Sequence, residues 1–125
     1  MDIRNPKLSD DQKEVLFNKA TEAPFSGEFI DKKDDGSYTC ANCGTVLFDS
    51  SRKYDSNCGW PSFDDAIEGA VLMTPDVSHG MVRTEITCAT CGGHLGHVFD
   101  DGPRNTTGMR YCVNSLSLQF TPTKN

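Results

Sequence analysis

The sequence predicts a mostly β fold that carries one helix near its N-terminus and is stapled by a metal ion. Beyond Pro24, short runs of β-branched and aromatic residues alternate with Gly, Pro, Asp and Asn, which is typical of strands joined by tight turns. Before Pro24 lies one stretch with clear helix signals. Four of the six cysteines form two matched Cys-x-x-Cys-Gly motifs, the usual spacing of a tetrahedral metal site.

The composition bounds the size of the domain and its partners. A chain of 125 residues, of which 36% are hydrophobic, predicts a single domain over residues 1–125 whose lean core a structural metal would help to stabilise. Residues 1–8 are expected to be a flexible lead-in. The net charge of −6 argues against nucleic acid as a partner, because phosphate binding requires an excess of Lys and Arg.

Membrane and export signals are also missing from the sequence. No run approaches the roughly 20 apolar residues of a membrane helix, and the first residues lack a signal-peptide pattern. We therefore expect no membrane partner, a cytoplasmic location and a monomer. Cysteines in that compartment stay reduced unless they bind a metal or take part in chemistry.

The predicted helix begins at a capping box. Ser9 is a good N-cap, Gln12 lies three residues further on, and the acidic residues 10–11 suit the positive end of the helix dipole. The helix is expected to continue to about residues 19–21, and Pro24 prevents further extension. Its inward-facing residues would be Val15, Leu16 and Ala20.

Seven strands are predicted after the helix. Turn-rich segments at residues 31–37 and 100–108 separate some of them. In the last strand, alternation would place Cys112 on one side together with Arg110, Asn114 and the apolar residues that follow. The predicted strands are Gly27–Ile30, Tyr38–Cys40, Val46–Asp49, Val71–Thr74, Val82–Cys88, His97–Asp100 and Arg110–Phe120.

The two Cys-x-x-Cys-Gly motifs predict a structural zinc site. Cys40, Cys43, Cys88 and Cys91 would supply four thiolates, and the Gly after each second Cys permits the tight turn of a zinc knuckle. Iron is an alternative, since tetrahedral sulfur suits either metal. A second alternative groups the second cysteine pair with the two histidines that follow it closely in the sequence.

The remaining cysteines, Cys58 and Cys112, lie in unusual local settings. Cys58 opens the segment Cys-Gly-Trp-Pro-Ser-Phe, and Cys112 lies in Arg-Tyr-Cys-Val-Asn, near a guanidinium and an amide. Two spare thiols in a metal-stapled domain predict a thiol redox enzyme. The other interpretation is that each is a small buried apolar residue, which is a common role of a free cysteine.

Two histidines and the single tryptophan are further candidates. His94 and His97 follow the second knuckle, and histidine is the usual proton donor near neutral pH. Trp60 lies beside Cys58, where its ring could pack against a methyl or thioether group. Each of the three could instead have an ordinary core or surface role. His79, in a Ser-His-Gly turn, is assigned no functional role.

Together, three motifs closely resemble those of the peptide-methionine (R)-S-oxide reductases, the B-type methionine sulfoxide reductases. The motifs are Cys-Gly-Trp-Pro-Ser-Phe, Cys-Gly-Gly-His-Leu-Gly-His-Val-Phe and Arg-Tyr-Cys-Val-Asn-Ser, and the similarity covers about residues 8–122 in the same order. The resemblance implies two antiparallel sheets with a helical N-terminal segment. It also implies the R epimer of methionine sulfoxide, in oxidised proteins or peptides, as the substrate.

The resemblance further implies a role for each candidate residue. Cys112 would attack the sulfoxide sulfur and become a sulfenic acid, which Cys58 would convert to a Cys58–Cys112 disulfide. Thioredoxin or a similar dithiol would then reduce this disulfide. His94 and His97 would hydrogen-bond the sulfoxide oxygen directly or through water. The remaining residues would be Trp60 and Phe99 for the substrate methyl group, Asn114 and Arg110 for orienting the site and favouring the thiolate, and Asp101 as a supporting acid.

A rival class is a zinc-ribbon interaction module in which Cys58 and Cys112 are simply buried. It predicts that neither thiol titrates readily and that no sulfoxide is reduced. A zinc hydrolase does not fit the sequence, because four thiolates leave no open coordination position for substrate or water.

Overall fold

The computed structural model describes residues 5–56, 58–77, 80 and 82–123, and His79 lies outside these residues. The mostly β prediction is confirmed for this part of the chain. From Asn5 onward the chain lies against the fold: the backbone N–H of Asn5 donates to Oδ1 of Asn42 (2.6 Å), and Leu8 is buried.

The helix, α1, spans Asp10–Asn18 and begins as predicted. Gln12 donates its backbone N–H to Oγ of Ser9 (3.1 Å), and its side-chain oxygen accepts the backbone N–H of Ser9 (2.9 Å). The helix ends earlier than predicted because Lys19 adopts a left-handed conformation (φ 59°). In the described part of the chain, no helix combines the length and apolar character needed to cross a membrane.

Two antiparallel sheets contain all the strands of the described residues, as the resemblance implies. The strands are β1 (Gly36–Cys40), β2 (Val46–Asp49), β3 (Lys53–Tyr54), β4 (Ser62–Phe63), β5 (Val71–Asp76), β6 (Arg83–Cys88), β7 (His94–Phe99), β8 (Arg110–Val113) and β9 (Leu118–Pro122). The smaller sheet has the order β2-β1-β9, and the larger has the order β3-β4-β8-β7-β6-β5.

The prediction of one strand over Arg110–Phe120 is wrong, because the chain leaves the larger sheet after β8. A 3-10 turn occupies Ser115–Ser117, and β9 then joins the smaller sheet. At the break, Asn114 donates its backbone N–H to the carbonyl of Leu95 (2.9 Å), and Ser117 donates its own to the carbonyl of Asn114 (3.0 Å). The alternation that would put Cys112 on one face with the apolar residues after it therefore stops at Asn114.

Four further elements differ from the prediction. Gly27–Ile30 forms turns, in which Ile30 donates its N–H to the carbonyl of Gly27 (3.4 Å). The sequence does not predict β3 and β4, because two residues are too few to show an alternating pattern. β7 begins at His94, three residues before its predicted start.

Aromatic side chains fill the space between the sheets. Tyr38 packs edge-on against Phe63 with ring centroids 5.1 Å apart, and Phe48 stacks on Phe63 at 4.2 Å. All three side chains are fully buried. Burial of a phenylalanine contributes roughly 1.5–3 kcal/mol, so this cluster fixes the two sheets against each other. It also holds β4, which pairs with β8 beside Cys112.

Candidate active site and metal centre

Two matching turns bring the four knuckle cysteines together. In the first, Gly44 donates its N–H to the carbonyl of Cys40 (2.9 Å), and in the second, Gly92 donates to the carbonyl of Cys88 (2.8 Å). Both glycines are in the left-handed region, with φ of 81° and 78°, where a side chain would be strained. The glycine after each Cys-x-x-Cys is therefore required by the turn itself.

The four sulfurs fit a tetrahedral metal ion. All four lie within 4.8 Å of one another, with Cys40 Sγ 3.7 Å from Cys91 Sγ and Cys43 Sγ 3.5 Å from Cys88 Sγ. Metal–sulfur bonds of about 2.3 Å in tetrahedral geometry place the sulfurs about 3.8 Å apart. Both of these contacts run between the knuckles, so a bound metal would tie the end of β1 to the end of β6.

The alternative site built from the second cysteine pair and the two histidines is wrong. Among the described residues, only the four cysteines group closely enough to hold a metal. Nδ1 of His94 instead lies 2.8 Å from Oε2 of Glu85, and Nε2 of His97 lies 2.8 Å from Oδ2 of Asp76.

The two remaining thiols are in direct contact. Cys58 lies in the loop between β3 and β4, Cys112 lies in β8, and their sulfurs are 3.1 Å apart. The Cys58 sulfur is also 3.3 Å from Oγ of Ser62 and 3.5 Å from the carbonyl oxygen of Trp60. The Cys58 loop therefore already holds its sulfur against that of Cys112.

Of the two thiols in this pair, Cys58 is the one favoured as the thiolate. A hydrogen bond from the Cys112 thiol lowers the pKa of Cys58 to about 4, with help from the hydroxyls of Ser56 and Ser62 and against the effect of burial. The same contact raises the pKa of Cys112, burial raises it further, and Arg110 only partly offsets the rise. The contact thus favours the thiolate on Cys58 and the thiol on Cys112.

The strand register aligns several site residues in one row across the larger sheet. Ser62 pairs with Cys112, Cys112 with His97, and His97 with Glu85. Residues that pair across antiparallel strands point to the same face. These four side chains, here called the central row, therefore lie side by side on β4, β8, β7 and β6.

A β-bulge puts both histidines on the face of the central row. Gly96 faces Ile86, while His94 faces the next residue of β6, Thr87, so that Leu95 is the extra residue of β7. The rings of His94 and His97 consequently meet edge to face, with centroids 5.7 Å apart. Without the bulge, alternation would place these two side chains on opposite faces.

The two histidines nevertheless differ in environment. His94 is 3% exposed, burial lowers its pKa against the opposing effect of Glu85, and it does not line the pocket described below. His97 does line that pocket, and Asp76 contacts both His97 and Nη2 of Arg83, at 3.5 Å from the latter. The structure thus brings only one of the two predicted histidines to the pocket wall.

A pocket of about 310 Å³ lies over the thiol pair. It is open to solvent on one side and combines two aromatic walls with a positive end. Among the described residues, it is lined by seven predicted site residues, Cys58, Trp60, His97, Phe99, Arg110, Cys112 and Asn114, and by three that were not predicted, Thr21, Arg83 and Gly96.

Arg110 is fixed in place beside Cys112. Its Nε and Nη2 donate to the two carboxylate oxygens of Asp101 at 2.8 and 3.1 Å, and its guanidinium carbon lies 4.4 Å from the centre of the Phe99 ring. The hydrogen bond from Arg110 lowers the pKa of Asp101, which lies outside the pocket. Asp101 therefore acts on the pocket through Arg110.

Trp60 and Asn114 share a partner that the sequence does not predict. Nε1–H of Trp60 donates to the carbonyl oxygen of Glu22 (3.0 Å), and the backbone N–H of Glu22 donates to Oδ1 of Asn114 (3.1 Å). The side-chain amide of Asn114 donates to the carbonyl of Leu95 (3.0 Å). The sequence analysis did not predict Arg83 and Glu85 as site residues. One feature of the sequence could have indicated them, since they are two charged residues at alternating positions of a strand that is otherwise apolar or neutral.

Comparisons with known proteins identify the family. Residues 8–122 match the model of the SelR domain. The chain is 57% identical over 117 residues to the peptide methionine sulfoxide reductase MsrB of Bradyrhizobium diazoefficiens, an alignment covering 93% of this chain and 84% of that protein. It is 53% identical over 115 residues to the protein of the same name from Burkholderia pseudomallei, covering 91% and 80%.

A solved structure shares the fold at lower similarity. The Mis18 "Yippee-like" domain superposes with a TM-score of 0.58 and 22% identity, over 74% of this chain and all of that one. This likeness concerns the fold alone. The SelR match spans nearly the whole chain, so the chain belongs to the SelR-domain family. With the relatives described above, it is an enzyme of the B-type peptide methionine sulfoxide reductase class.

Proposed function

We propose that this enzyme reduces the R epimer of methionine sulfoxide in oxidised proteins and peptides, with Cys112 as nucleophile and Cys58 as resolving thiol. The observation that carries the proposal is the 3.1 Å contact of two sulfurs outside the metal cluster, at the base of a pocket with aromatic walls. A sulfoxide reduction by thiols needs two thiols and a proton donor. Cys58, Cys112 and His97 provide them within one pocket.

Substrate capture depends on the aromatic walls. Trp60 and Phe99 offer ring faces to the methyl group of the substrate, and sulfur-bearing side chains pack favourably on aromatic rings. The polar S–O group would then point toward His97 and the Arg110 end. Arg83 extends the positive side of the pocket near His97.

The first chemical step transfers two electrons from Cys112 to the sulfoxide. Cys112 attacks the sulfoxide sulfur as its thiolate, and a proton is delivered to the oxygen. The oxygen then passes to the Cys112 sulfur, and the substrate sulfur loses its bonds to that oxygen and to Cys112. The products are methionine and a sulfenic acid on Cys112. His97 is the proton donor, and the buried neutral His94 supports its ring from the side.

Cys112 becomes a thiolate when its proton moves to Cys58 within the thiol pair. In the resting arrangement the charge lies on Cys58, and Cys112 retains the proton. Movement of that proton to Cys58 leaves the charge on Cys112, beside the guanidinium that Asp101 holds in place. Arg110 and Asn114 thus act on the nucleophile, and Asp101 acts through Arg110.

The second step forms the Cys58–Cys112 disulfide. Cys58 attacks the sulfenic sulfur, and the oxygen leaves as water after taking up a proton. One methionine sulfoxide and two thiols thereby give methionine, water and one disulfide. Thioredoxin or another dithiol then reduces the disulfide and is itself oxidised. We further propose a monomer acting in the cytoplasm, where such dithiols are kept reduced.

The metal in this proposal is a structural zinc ion held by Cys40, Cys43, Cys88 and Cys91. Four thiolates close its coordination shell, so it would supply folding energy and no substrate position. Its contribution to the reaction is indirect, since the second knuckle ends β6 and precedes β7, the strand that carries His97.

The test is a single-turnover experiment with separate epimers of a methionine sulfoxide peptide. The wild-type enzyme should reduce the R epimer only, Cys112→Ser should release no methionine, and Cys58→Ser should release one equivalent but lose turnover with thioredoxin. Methionine release by Cys112→Ser would refute the assignment of the nucleophile. Equal use of the S epimer would refute the stereochemical part alone.

A further inference from the structure

We infer that Glu22 is a positioning residue for this reaction, which holds the Trp60 ring and the Asn114 side chain in the pocket. The inference rests on the proposed function, because it takes Trp60 as the wall that receives the substrate methyl group. It concerns the strap, defined here as residues 19–30, which follows α1 and runs past the pocket. Thr21 of the strap itself lines the pocket.

Glu22 bridges the two elements that carry the thiols. Its carbonyl oxygen accepts the indole N–H of Trp60, which lies in the Cys58 loop, at 3.0 Å. Its backbone N–H donates to the side chain of Asn114, which follows the Cys112 strand, at 3.1 Å. One residue therefore fixes the loop with the resolving thiol relative to the end of β8.

The carboxylate of Glu22 sets the position of its own backbone. Leu116 in the 3-10 turn donates its backbone N–H to Oε1 of Glu22 at 2.9 Å. The residue is 7% exposed, although Thr21 and Ala23 on either side are exposed. A Cβ at Gly27 would lie 2.3 Å from Oε2, so the strap folds tightly around this carboxyl group.

Burial of the Glu22 carboxyl group has a desolvation cost, which an apolar side chain of similar size would not have. Desolvation raises the pKa of Glu22, against hydrogen bonds from Leu116 and Ser115 that lower it. An apolar side chain in the same space would avoid that cost but could not accept the N–H of Leu116. The contact with Leu116 is thus the specific gain from having a carboxyl group at this position.

The two dependent residues should respond differently when the carboxyl group is lost. Asn114 keeps its hydrogen bond to Leu95, which does not involve the strap. Trp60 donates its only side-chain N–H to the strap. Loss of the Glu22 side chain should therefore weaken substrate capture, through Trp60, more than it slows the attack by Cys112.

The experiment is a double-mutant cycle between Glu22→Ala and Trp60→Phe, read by single-turnover methionine release at increasing substrate concentration. Each single variant should raise the half-saturating concentration about three- to tenfold, as expected for one lost hydrogen bond. The double variant should rise no further than the larger single effect, because both changes act on the same indole. Glu22→Gln keeps an acceptor for Leu116 and should behave like the wild type.

Trp60 supplies a second readout, because it is the only tryptophan of the chain. Its emission should shift in Glu22→Ala and stay unchanged in Glu22→Gln. The matched control is Glu28→Ala, which removes an exposed carboxyl group from the same strap. This control should leave both emission and half-saturation unchanged.

Two results would overturn the inference. One is Glu22→Ala with wild-type half-saturation and emission, and the other is a double variant whose effect is the product of the single effects. If Glu22→Ala does not fold, Glu22→Asp replaces it in the cycle, since it draws the carboxylate back by one methylene group. Failure of both to fold would assign Glu22 to general stability. An inactive wild type or an active Cys112→Ser enzyme would refute the proposed function instead.

Discussion

At the scale of single residues, the thiol pair makes a prediction about pH. The hydrogen bond from Cys112 is the largest cause of the lowered pKa of Cys58, about 4 in place of 9.0. Replacing Cys112 by Ala removes this donor, so the pKa of Cys58 should rise toward its ordinary value. Alkylation of Cys58, followed by mass spectrometry of the metal-bound protein, should be flat above about pH 5 in the wild type.

In Cys112→Ala, the alkylation rate should instead increase with pH until pH 8–9, about tenfold for each pH unit. Cys112→Ser serves as a partial control, since its hydroxyl can still donate to the Cys58 sulfur. A wild-type profile that rises up to pH 9 would show that the two thiols do not share a proton. A flat profile in Cys112→Ala would assign the low pKa to Ser56 and Ser62 alone.

The histidines give a second prediction at this scale. His97→Ala removes the proposed proton donor, which lines the pocket, and should slow single-turnover methionine release by roughly a hundredfold or more. Asp76→Asn should have a smaller effect, because the amide can still hydrogen-bond Nε2 of His97. Both variants should keep their metal, measured by metal analysis, because neither residue lies in the four-cysteine cluster.

Metal loss from His97→Ala would contradict the cluster assignment. A small effect of His97→Ala together with a large effect of His94→Ala would exchange the roles of the two rings. The contact of these rings, 5.7 Å between centroids, means that either change disturbs the other side chain. His94→Asn is therefore a better partner variant than His94→Ala, since it can still donate to Glu85.

Which site residues can be predicted from sequence depends on how far their partners lie along the chain. Seven of the predicted residues line the pocket, because each belongs to a short segment that also contains a cysteine or a histidine. Glu22 was missed because its contacts reach across 38 and 92 residues, to Trp60 and Asn114. No local pattern marks a carboxyl group whose partners lie at such distances.

At the scale of elements, close packing of β7 against β8 supports the central row. Gly96 of β7 has no space for a side chain, since a Cβ there would lie 2.0 Å from the carbonyl oxygen of Cys112. Gly96→Ala should therefore push the two strands apart, lower the midpoint of thermal unfolding and slow methionine release. Calorimetry and single-turnover kinetics measure the two effects.

The contrasting variant is Gly108→Ala. A Cβ at this position faces open space, and the only expected cost is the left-handed backbone (φ 75°), about 1–2 kcal/mol. Gly108→Ala should thus lose stability but keep the rate of the chemical step. If Gly96→Ala released methionine at the wild-type rate, the close approach of β7 to β8 would not affect the reactivity of Cys112.

The helix and strands also show which features of the fold sequence patterns can predict and which they cannot. The capping box at Ser9 is readable because both of its hydrogen bonds join residues three apart. The bulge at Leu95 cannot be predicted from a local pattern, since it arises where β7 turns back from the second knuckle and pairs with β6. The alternation of residues 110–120 continues through Asn114, so nothing in the pattern reveals that the two halves belong to different sheets.

At the scale of the whole molecule, metal binding should govern stability. The cluster joins the end of β1, in the smaller sheet, to the end of β6, in the larger sheet. Replacing any of its four cysteines by Ser should release the metal and lower the free energy of unfolding by up to about 10 kcal/mol. Metal analysis and thermal unfolding, with and without a chelator, measure both quantities.

The control for this experiment is Cys58→Ser, which removes a thiol outside the cluster and should keep both metal and stability. A metal-free protein with an unchanged unfolding midpoint would contradict a structural role of the metal. Metal retained in Cys40→Ser would show that fewer than four cysteines suffice to hold it.

The pairing of β1 with β9 has a consequence for the synthesis of the protein. The two strands lie about 80 residues apart in the sequence, and β1 is the central strand of its sheet. On the ribosome, the smaller sheet therefore cannot close until β9 emerges, after every cysteine has been made. Non-local pairing of this kind is slow. All six thiols are therefore already part of the nascent chain before the smaller sheet can close.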